Sequence, residues 1–244
     1  ATGGQIMQTI TGLAIGLTTG GTVVIAQHYG ARRRRDVVNA IRAVLIVFGL
    51  FSIVMTLGTI CLIGPICKLM QVPSEALAVT KEYLLICAYG ILPIVGYNAV
   101  SCILRGLGDS QTPLLFMVIA CVINVSTDLI FVGLLRQGAA GAAVSTVLAQ
   151  AVSLLLAGVY LAAKGFVGKY RREKPKFQVY SAKNILSVGV PVALQEGLIN
   201  ISFLIITAVI NGLGLVASAA VGVVEKLIVF SMLPTTAFAA AVAA

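Results

Sequence analysis

The chain of 244 residues is 59% hydrophobic and 10% charged, with a mean hydropathy of +1.05. Soluble domains are roughly 45–50% apolar, so the composition excludes a soluble globular protein and predicts an integral membrane protein. The net charge of +9 does not indicate nucleic-acid binding, because the basic residues lie between apolar spans rather than on a polar domain. The five cysteines show no metal-ligand spacing, and we predict neither a metal centre nor an organic cofactor.

The first two predicted spans are residues 4–29 and 37–64. The first is rich in Gly and Thr, a composition that favours close contact between helices over exposure to lipid. Four consecutive arginines follow it at positions 32–35, and the positive-inside rule places residues 30–36 in the cytoplasm. Pro65 is predicted to end the second span.

The third and fourth predicted spans are residues 76–104 and 112–136. The sequence RGLGDSQTP joins them, and its Gly, Asp and Pro residues predict a tight turn. The fourth span, TPLLFMVIACVINVSTDLIFVGLLR, is predicted to be a single helix with Asn124 and Asp128 inside it.

Asp128 is the residue on which the prediction of a site depends. An ionised carboxylate near the middle of a bilayer costs roughly 2.5–3.5 kcal/mol on insertion scales, so it rarely faces lipid. We therefore predict that Asp128 faces protein or water. Asn124 precedes it by a little more than one helical turn and lies on the same face, which gives a polar patch of one amide and one carboxylate.

The fifth predicted span, residues 139–163, is so rich in Ala and Gly that its backbone is expected to pack closely against its neighbours. Residues 164–183 then form the longest polar stretch, with seven basic residues and one acid. This stretch, residues 30–36 and residues 105–111 are assigned to the cytoplasm. With Arg42 included, thirteen of the seventeen Lys and Arg residues lie on that side.

The sixth predicted span is residues 184–210, and the seventh begins at residue 215. Their polar residues are candidates for lining a substrate cavity: Gln195, Glu196, Asn200 and Glu225. For Glu196, a simple hydrogen bond between helices is an equally good interpretation. The seventh span stops without a polar flank, and a weak internal repeat occurs at an offset of 217 residues. We expect the chain to be part of a longer protein built from two parallel repeats.

Five short motifs resemble those of one membrane-protein family. They are AQHYGARRRRDV after the first span, LRGLGDSQTPL before the fourth, INVSTDLIF within it, GAAGAAVSTVLAQ in the fifth and GVPVALQ in the sixth. In this order they resemble the multidrug and toxic compound extrusion (MATE) family over the whole chain. The resemblance implies an all-α polytopic membrane protein of two six-helix lobes, of which this chain holds about seven helices, the second to the eighth of twelve.

On this resemblance, residues 1–163 form the N-terminal lobe without its first helix, residues 164–183 the loop between lobes, and residues 184–244 the first two helices of the C-terminal lobe. The implied activity is export of drugs or toxic amphipathic compounds by a monomer in the plasma (inner) membrane, driven by influx of H⁺ or Na⁺. The alternative is a flippase for lipid-linked oligosaccharides from the same larger superfamily. Such a flippase is expected to have a basic central cavity, whereas the charges within these spans are mostly acidic. No motif argues for an enzyme.

The resemblance also assigns a site. In the branch similar to DinF, a polar cluster of the first lobe contains Asn, Asp, Thr and Tyr, and the matching residues here are Asn124, Asp128, Thr146 and Tyr83. An Asp on the family's first helix has no counterpart in this sequence. In the branch similar to NorM, an acid follows the GxP glycine by about ten residues, but that position here is Ile199. The sequence therefore favours coupling in the first lobe.

Depth in the membrane agrees with this assignment. At 1.5 Å per residue, Asp128 lies about 12 Å from the outer end of its span and Thr146 about 10 Å from the outer end of its own, with Tyr83 at a similar depth. Such a layer of oxygen atoms could exchange hydrogen bonds with a protonated acid or bind a hard monovalent cation. The plainer alternative is that Asp128 only joins helices through hydrogen bonds.

Overall fold

The computed structural model describes residues 2–72, 74–164 and 179–214, together with residues 216–217, 219–224, 227–228, 230–232 and 234. The helices are α1 (Thr2–Gly30), α2 (Arg34–Leu69), α3 (Ser74–Gly106), α4 (Gln111–Asp128), a π-helical segment (Leu129–Leu134), α5 (Gly138–Ala163) and α6 (Val179–Gly212). In the described ranges, six helices are long and apolar enough to cross a membrane. The predicted all-α polytopic class is confirmed.

Two predictions about the helices were wrong. Pro65 does not end the second span, because α2 continues past it to Leu69. A proline inside a membrane helix removes one backbone hydrogen bond, which neighbouring groups can replace. The fourth span is not a uniform α-helix, since it changes to a π-helix immediately after Asp128. The seventh predicted span is helical at those of its positions that the structure describes, and Glu225 lies outside the described residues.

The short connections make successive helices antiparallel, so that the helix ends fall on two sides. The turns at 31–33 and 107–110 and the end of α5 lie on the predicted cytoplasmic side, and the turns at 70–72 and 135–137 lie on the other. In the turn at 107–110, Gly108 has a φ of +90°, which glycine adopts without steric cost because it has no Cβ.

The first helix lies at the centre of the bundle and contacts α2, α3 and α6. The core around it contains large side chains that are almost completely buried: Ile25, Phe48, Leu84, Ile91, Ile103 and Ile185. In contrast, α4 lies at the edge, and it contacts mainly α5. The site described below is therefore built at the contact between the peripheral α4 and the bundle.

Small residues allow α1 and α6 to touch along their backbones. A Cβ atom built on Gly16 would overlap the backbone of Ala193, and one built on Gly20 would lie 2.5 Å from the carbonyl oxygen of Ile185. On the other helix, a Cβ on Gly189 would lie 3.1 Å from the Cα of Leu17. The predicted close packing of the Gly-rich first span is confirmed, and α6 is its main partner.

The buried face of α5 is a stripe of small residues, most of them four positions apart: Gly141, Ala143, Ser145, Ala149, Ser153 and Ala157. This stripe admits residues of α3 and α4 at close range, as the sequence predicted. The hydroxyl of Ser153 donates a hydrogen bond of 3.2 Å to the carbonyl oxygen of Phe116 on α4. Ser145, on the same stripe, contacts Asp128 of the candidate site.

Candidate coupling site and substrate cavity

Asp128 is the last residue of α4, and its carboxylate points to α5 rather than away from the bundle. The hydroxyl of Ser145, on a fully buried residue, donates a hydrogen bond to its Oδ1 atom. The same hydroxyl lies 2.9 Å from the carbonyl oxygen of Gly141. A carboxylate that accepts a hydrogen bond is the favoured partner for this hydroxyl, because charge-assisted hydrogen bonds are the stronger kind.

A second hydrogen bond joins the same helices, and its donor lies one turn before Asp128 on α4. The side-chain amide of Asn124 donates to the hydroxyl of Thr146 at 3.3 Å, and Thr146 in turn donates to the carbonyl oxygen of Ala142 at 3.0 Å. Two hydrogen bonds thus join α4 to α5, one between Asp128 and Ser145 and one between Asn124 and Thr146. The amide oxygen of Asn124 takes no part in the hydrogen bond to Thr146 and can act as an acceptor.

Tyr83, on α3, is the third element of the cluster. Its side chain lines the same cavity as Thr146 and Cys87, and it lies near enough to Asp128 for the two groups to repel each other if both were ionised. The structure therefore brings the four sequence-predicted residues Tyr83, Asn124, Asp128 and Thr146 into one region at the junction of α3, α4 and α5. We call these four residues and Ser145 the Asp128 cluster.

A cavity of about 260 Å³ adjoins this cluster and is lined by residues of α1, α3, α4 and α5. Its polar lining residues are Thr11, Tyr83, Tyr97, Asn98, Thr146, Gln150 and Ser153, and its apolar ones are Met7, Ile15, Cys87, Ile94, Met117, Ala120 and Val147. Neither an acidic nor a basic side chain occurs among these fourteen. Tyr83 and Thr146 belong to both the cavity wall and the Asp128 cluster.

The MatE family profile matches residues 1–130, more than half of the chain. This chain belongs to the MATE family. The MATE assignment is supported by the probable multidrug resistance protein YpnP of Bacillus subtilis, which is 30% identical over 99% of this chain and 54% of its own length. The chain spans about half the length of the curated relatives it matches. It is thus a multi-pass plasma-membrane protein of a family of multidrug transporters, which are not enzymes.

Two solved MATE structures share the fold. The inward-facing conformation of a multidrug resistance MATE family transporter has a TM-score of 0.80 at 26% identity, over 94% of this chain and 53% of its own. An outward-facing conformation of such a transporter has a TM-score of 0.72 at 29% identity, over 78% of this chain and 42% of its own. The comparisons do not separate the DinF-like from the NorM-like branch, and they give no support to a flippase.

The candidates predicted on the sixth span lie elsewhere in this MATE chain. Asn200 is buried against α1, where its amide nitrogen would be 2.9 Å from a Cβ on Gly12, and it donates a hydrogen bond of 2.8 Å to the carbonyl oxygen of Glu196. Glu196 is half-buried beside it and Gln195 is exposed. The wall of the cavity described above contains no residue of α6.

Sequence reasoning missed several residues of the site. Ser145 was overlooked in favour of its neighbour Thr146, although its place on the four-residue stripe of α5 was a usable signal for a residue that faces another helix. Asn98 and Gln150 were also missed, and an amide within an apolar span is the signal that could have found them.

In the described residues, no group of three His, Cys, Asp or Glu side chains could hold a metal ion.

The predicted cytoplasmic ends of α4 and α5 are joined by a separate polar group. Oδ1 of Asp109 accepts a hydrogen bond of 3.0 Å from the backbone N–H of Thr112. Oδ2 accepts from the hydroxyls of Thr112 and Tyr160 at 2.7 and 3.0 Å. The Nζ atom of Lys164 lies 5.2 Å from the centre of the Tyr160 ring. The hydrogen bonds from Thr112, together with that from Tyr160 and the charge of Lys164, lower the pKa of Asp109.

Proposed function

We propose that the intact protein exports amphipathic organic compounds in exchange for H⁺ or Na⁺, with Asp128 as the coupling acid. The observation that carries this proposal is that Tyr83 and Thr146 belong to both the Asp128 cluster and the cavity. A change at the carboxylate therefore reaches two groups that a bound compound would touch. This shared wall favours a coupling role over a purely structural one.

The chemistry of the cluster suits either ion. With H⁺, the carboxyl group of Asp128 becomes a donor as well as an acceptor, and its hydrogen bond with Ser145 weakens because the acceptor is no longer charged. With Na⁺, the carboxylate, the amide oxygen of Asn124 and the hydroxyl oxygens supply the hard oxygen ligands that such a cation prefers. Both events alter the contact between α4 and α5.

The π-helical segment offers a way for this change to move the helix. Leu129–Leu134 follows Asp128 directly, and π-helical turns occur frequently at functional sites. Binding of an ion at the end of α4 would shift this segment relative to α5. Exchange then requires only that ion and substrate prefer different states of the helix pair, since coupling is a difference in affinity between states.

The lining of the cavity indicates the class of substrate. Seven uncharged polar side chains and seven apolar ones fit compounds that are amphipathic. The DinF-like arrangement, with coupling in the first lobe, is the branch that these positions favour.

We infer the arrangement of lobes from the same relationships. Residues 1–163 form one lobe and residues 184–244 begin the other, with residues 164–183 as the cytoplasmic connection, and a single copy is the transport unit.

Transport by the intact protein tests the proposal. Cells that lack their own exporters would be loaded with a fluorescent cationic amphiphile, and efflux would be compared between the wild type and Asp128→Asn at equal expression. We expect the variant to lose efflux and its response to H⁺ or Na⁺. Glu75→Gln, which changes an exposed acid in the first turn of α3, is the control that is expected to keep both. Unchanged efflux and ion response in Asp128→Asn would refute the proposal.

A further inference from the structure

The far ends of α2 and α6 meet through a hydrogen bond between residues 141 positions apart. The amide nitrogen of Asn211 donates to the carbonyl oxygen of Met70 at 2.9 Å. Both residues are buried, Met70 to 5% exposure and Asn211 to 3%. Met70 follows the last residue of α2, where carbonyl groups lack a partner within the helix. Asn211 therefore satisfies an acceptor that the end of α2 leaves open.

A second contact lies beside this bond. A Cβ atom built on Gly212 would lie 2.8 Å from the side-chain oxygen of Gln71. The Gln71 side chain therefore packs against α6 at a position where α6 has no side chain. Gln71 has a φ of +48°, a left-handed conformation that is uncommon for residues other than glycine. The turn after α2 is thus bent to bring Met70 and Gln71 together onto the end of α6. We call the contact of Met70 and Gln71 with Asn211 and Gly212 the outer clasp.

The position of the outer clasp matters because α2 and α6 are not consecutive in the chain, which runs through α3, α4 and α5 between them. The connection that follows α5 leads into the start of α6 at Val179. Asn211 lies at the opposite end of that helix, about 48 Å along its axis at 1.5 Å per residue. Non-covalent contacts alone hold the far ends together.

We propose that the outer clasp is the lock that keeps the outer side of the transporter closed. This inference rests on the proposed function, since it assigns the clasp a role in alternation between two open sides. Opening toward the outside separates α6 from α2 and breaks the bond between Asn211 and Met70. The outer clasp thereby favours the state from which the ion site and cavity are reached from the cytoplasm.

Cross-linking of the intact protein tests the outer clasp without requiring transport. In a background whose native cysteines are replaced by serine or alanine, Gln71→Cys with Gly212→Cys would be treated in membranes with a short, cleavable bifunctional thiol reagent. We expect efficient cross-linking that stops transport and is reversed by cleavage. Leu69→Cys with Gly212→Cys is the matched control, because Leu69 lies two residues before Gln71 and is 78% exposed. Equal cross-linking of both pairs, or continued transport by the linked protein, would overturn the proposal.

A second measurement examines the lock itself. Asn211→Leu removes the donor at similar size. We expect external labelling of Met70→Cys, at a position that is 5% exposed in the closed clasp, by a membrane-impermeant maleimide to rise about tenfold, as loss of one buried hydrogen bond predicts. Ser202→Ala is the control on the same helix, since its hydroxyl bonds to the carbonyl oxygen of Leu198. Unchanged labelling in Asn211→Leu would contradict the lock. Because labelling does not depend on ion coupling, failure of the Asp128 proposal would leave this result interpretable.

Discussion

The hydroxyl of Ser145 donates a hydrogen bond to the carboxylate of Asp128, and this bond joins the fully buried stripe of α5 to the point where α4 becomes π-helical. The acid is thereby fixed to its neighbour at the place where its own helix changes geometry. A proton or cation at Asp128 changes this bond first. The predictions below follow from this bond and from the contacts around it.

Replacing Ser145 with alanine removes the donor but leaves the small side chain that the packing of α5 requires. A hydrogen bond to a charged group contributes about 1.5–3 kcal/mol, so we expect a loss of roughly tenfold or more in the rate of substrate efflux. Ser126→Ala is the control, because that hydroxyl bonds to the carbonyl oxygen of Val122 on its own helix. The measurement is the efflux rate of Ser145→Ala and of Ser126→Ala at equal expression. Similar rates for the two variants would show that Ser145 has no part in the mechanism.

Thr146 is expected to affect ion and substrate together, because it lies in both the cluster and the cavity. Thr146→Val keeps the shape and removes the hydroxyl that Asn124 contacts. We expect the KM for the exported compound and the concentration of ion that gives half-maximal transport both to change by at least about threefold, consistent with a hydrogen bond of about 1 kcal/mol. The control is Thr127→Val, whose hydroxyl bonds to carbonyl oxygens of its own helix. A change in only one of the two constants would contradict a shared wall.

The backbone contact between α1 and α6 predicts sharply different effects for two glycine substitutions. Gly16→Ala places a methyl group against the backbone of Ala193, and forced overpacking of this kind typically costs about 1–3 kcal/mol. Gly49→Ala meets open space on α2 and is expected to be neutral or to stabilise the helix by up to about 1 kcal/mol. Thermal unfolding in detergent, followed by circular dichroism, measures both. Equal melting temperatures for the two variants would mean that α1 and α6 are not packed as described.

Stability at low pH is expected to depend on Asp109. Its pKa is lowered in the folded protein by the hydrogen bonds from Thr112 and Tyr160. A carboxyl group whose pKa is lower when folded stabilises the protein fully above its unfolded pKa of about 3.9, and the stabilisation is lost as the pH falls through the folded value. The difference in melting temperature between the wild type and Asp109→Asn should therefore be largest near neutral pH and shrink on acidification below about pH 4. A difference that stays constant with pH would show that the charge of Asp109 is not the stabilising group.

Much of the fold followed from the sequence because membrane spans are long and their composition is distinct. The approximate positions of six spans and the tight packing of the Gly-rich and Ala-rich helices were predicted correctly. The π-helical segment after Asp128 was missed, since its residues are as apolar as those of an α-helix and nothing local marks the change in hydrogen bonding. Pro65 was misjudged because a proline removes only one bond, and the rest of a membrane helix can continue past it.

The site shows where local patterns stop being informative. Residues Asn124 and Asp128 could be placed on one face by helical periodicity alone. The choice of Ser145 as the partner of Asp128 depends on how α5 is rotated, which packing against α3 decides. Asn211 lay just outside the predicted sixth span, and its bond to Met70 joins positions 141 residues apart. No periodicity within one helix indicates such a contact.

Coupled transport by the purified intact protein in proteoliposomes tests the central claim most directly. Uptake of a cationic amphiphile would be measured with and without an imposed H⁺ or Na⁺ gradient, for the wild type and for Asp128→Asn. The account predicts that a gradient of one of these ions accelerates transport by the wild type and has no effect on the variant, while the variant still binds the compound. Gradient-driven transport that is the same in Asp128→Asn as in the wild type would contradict it.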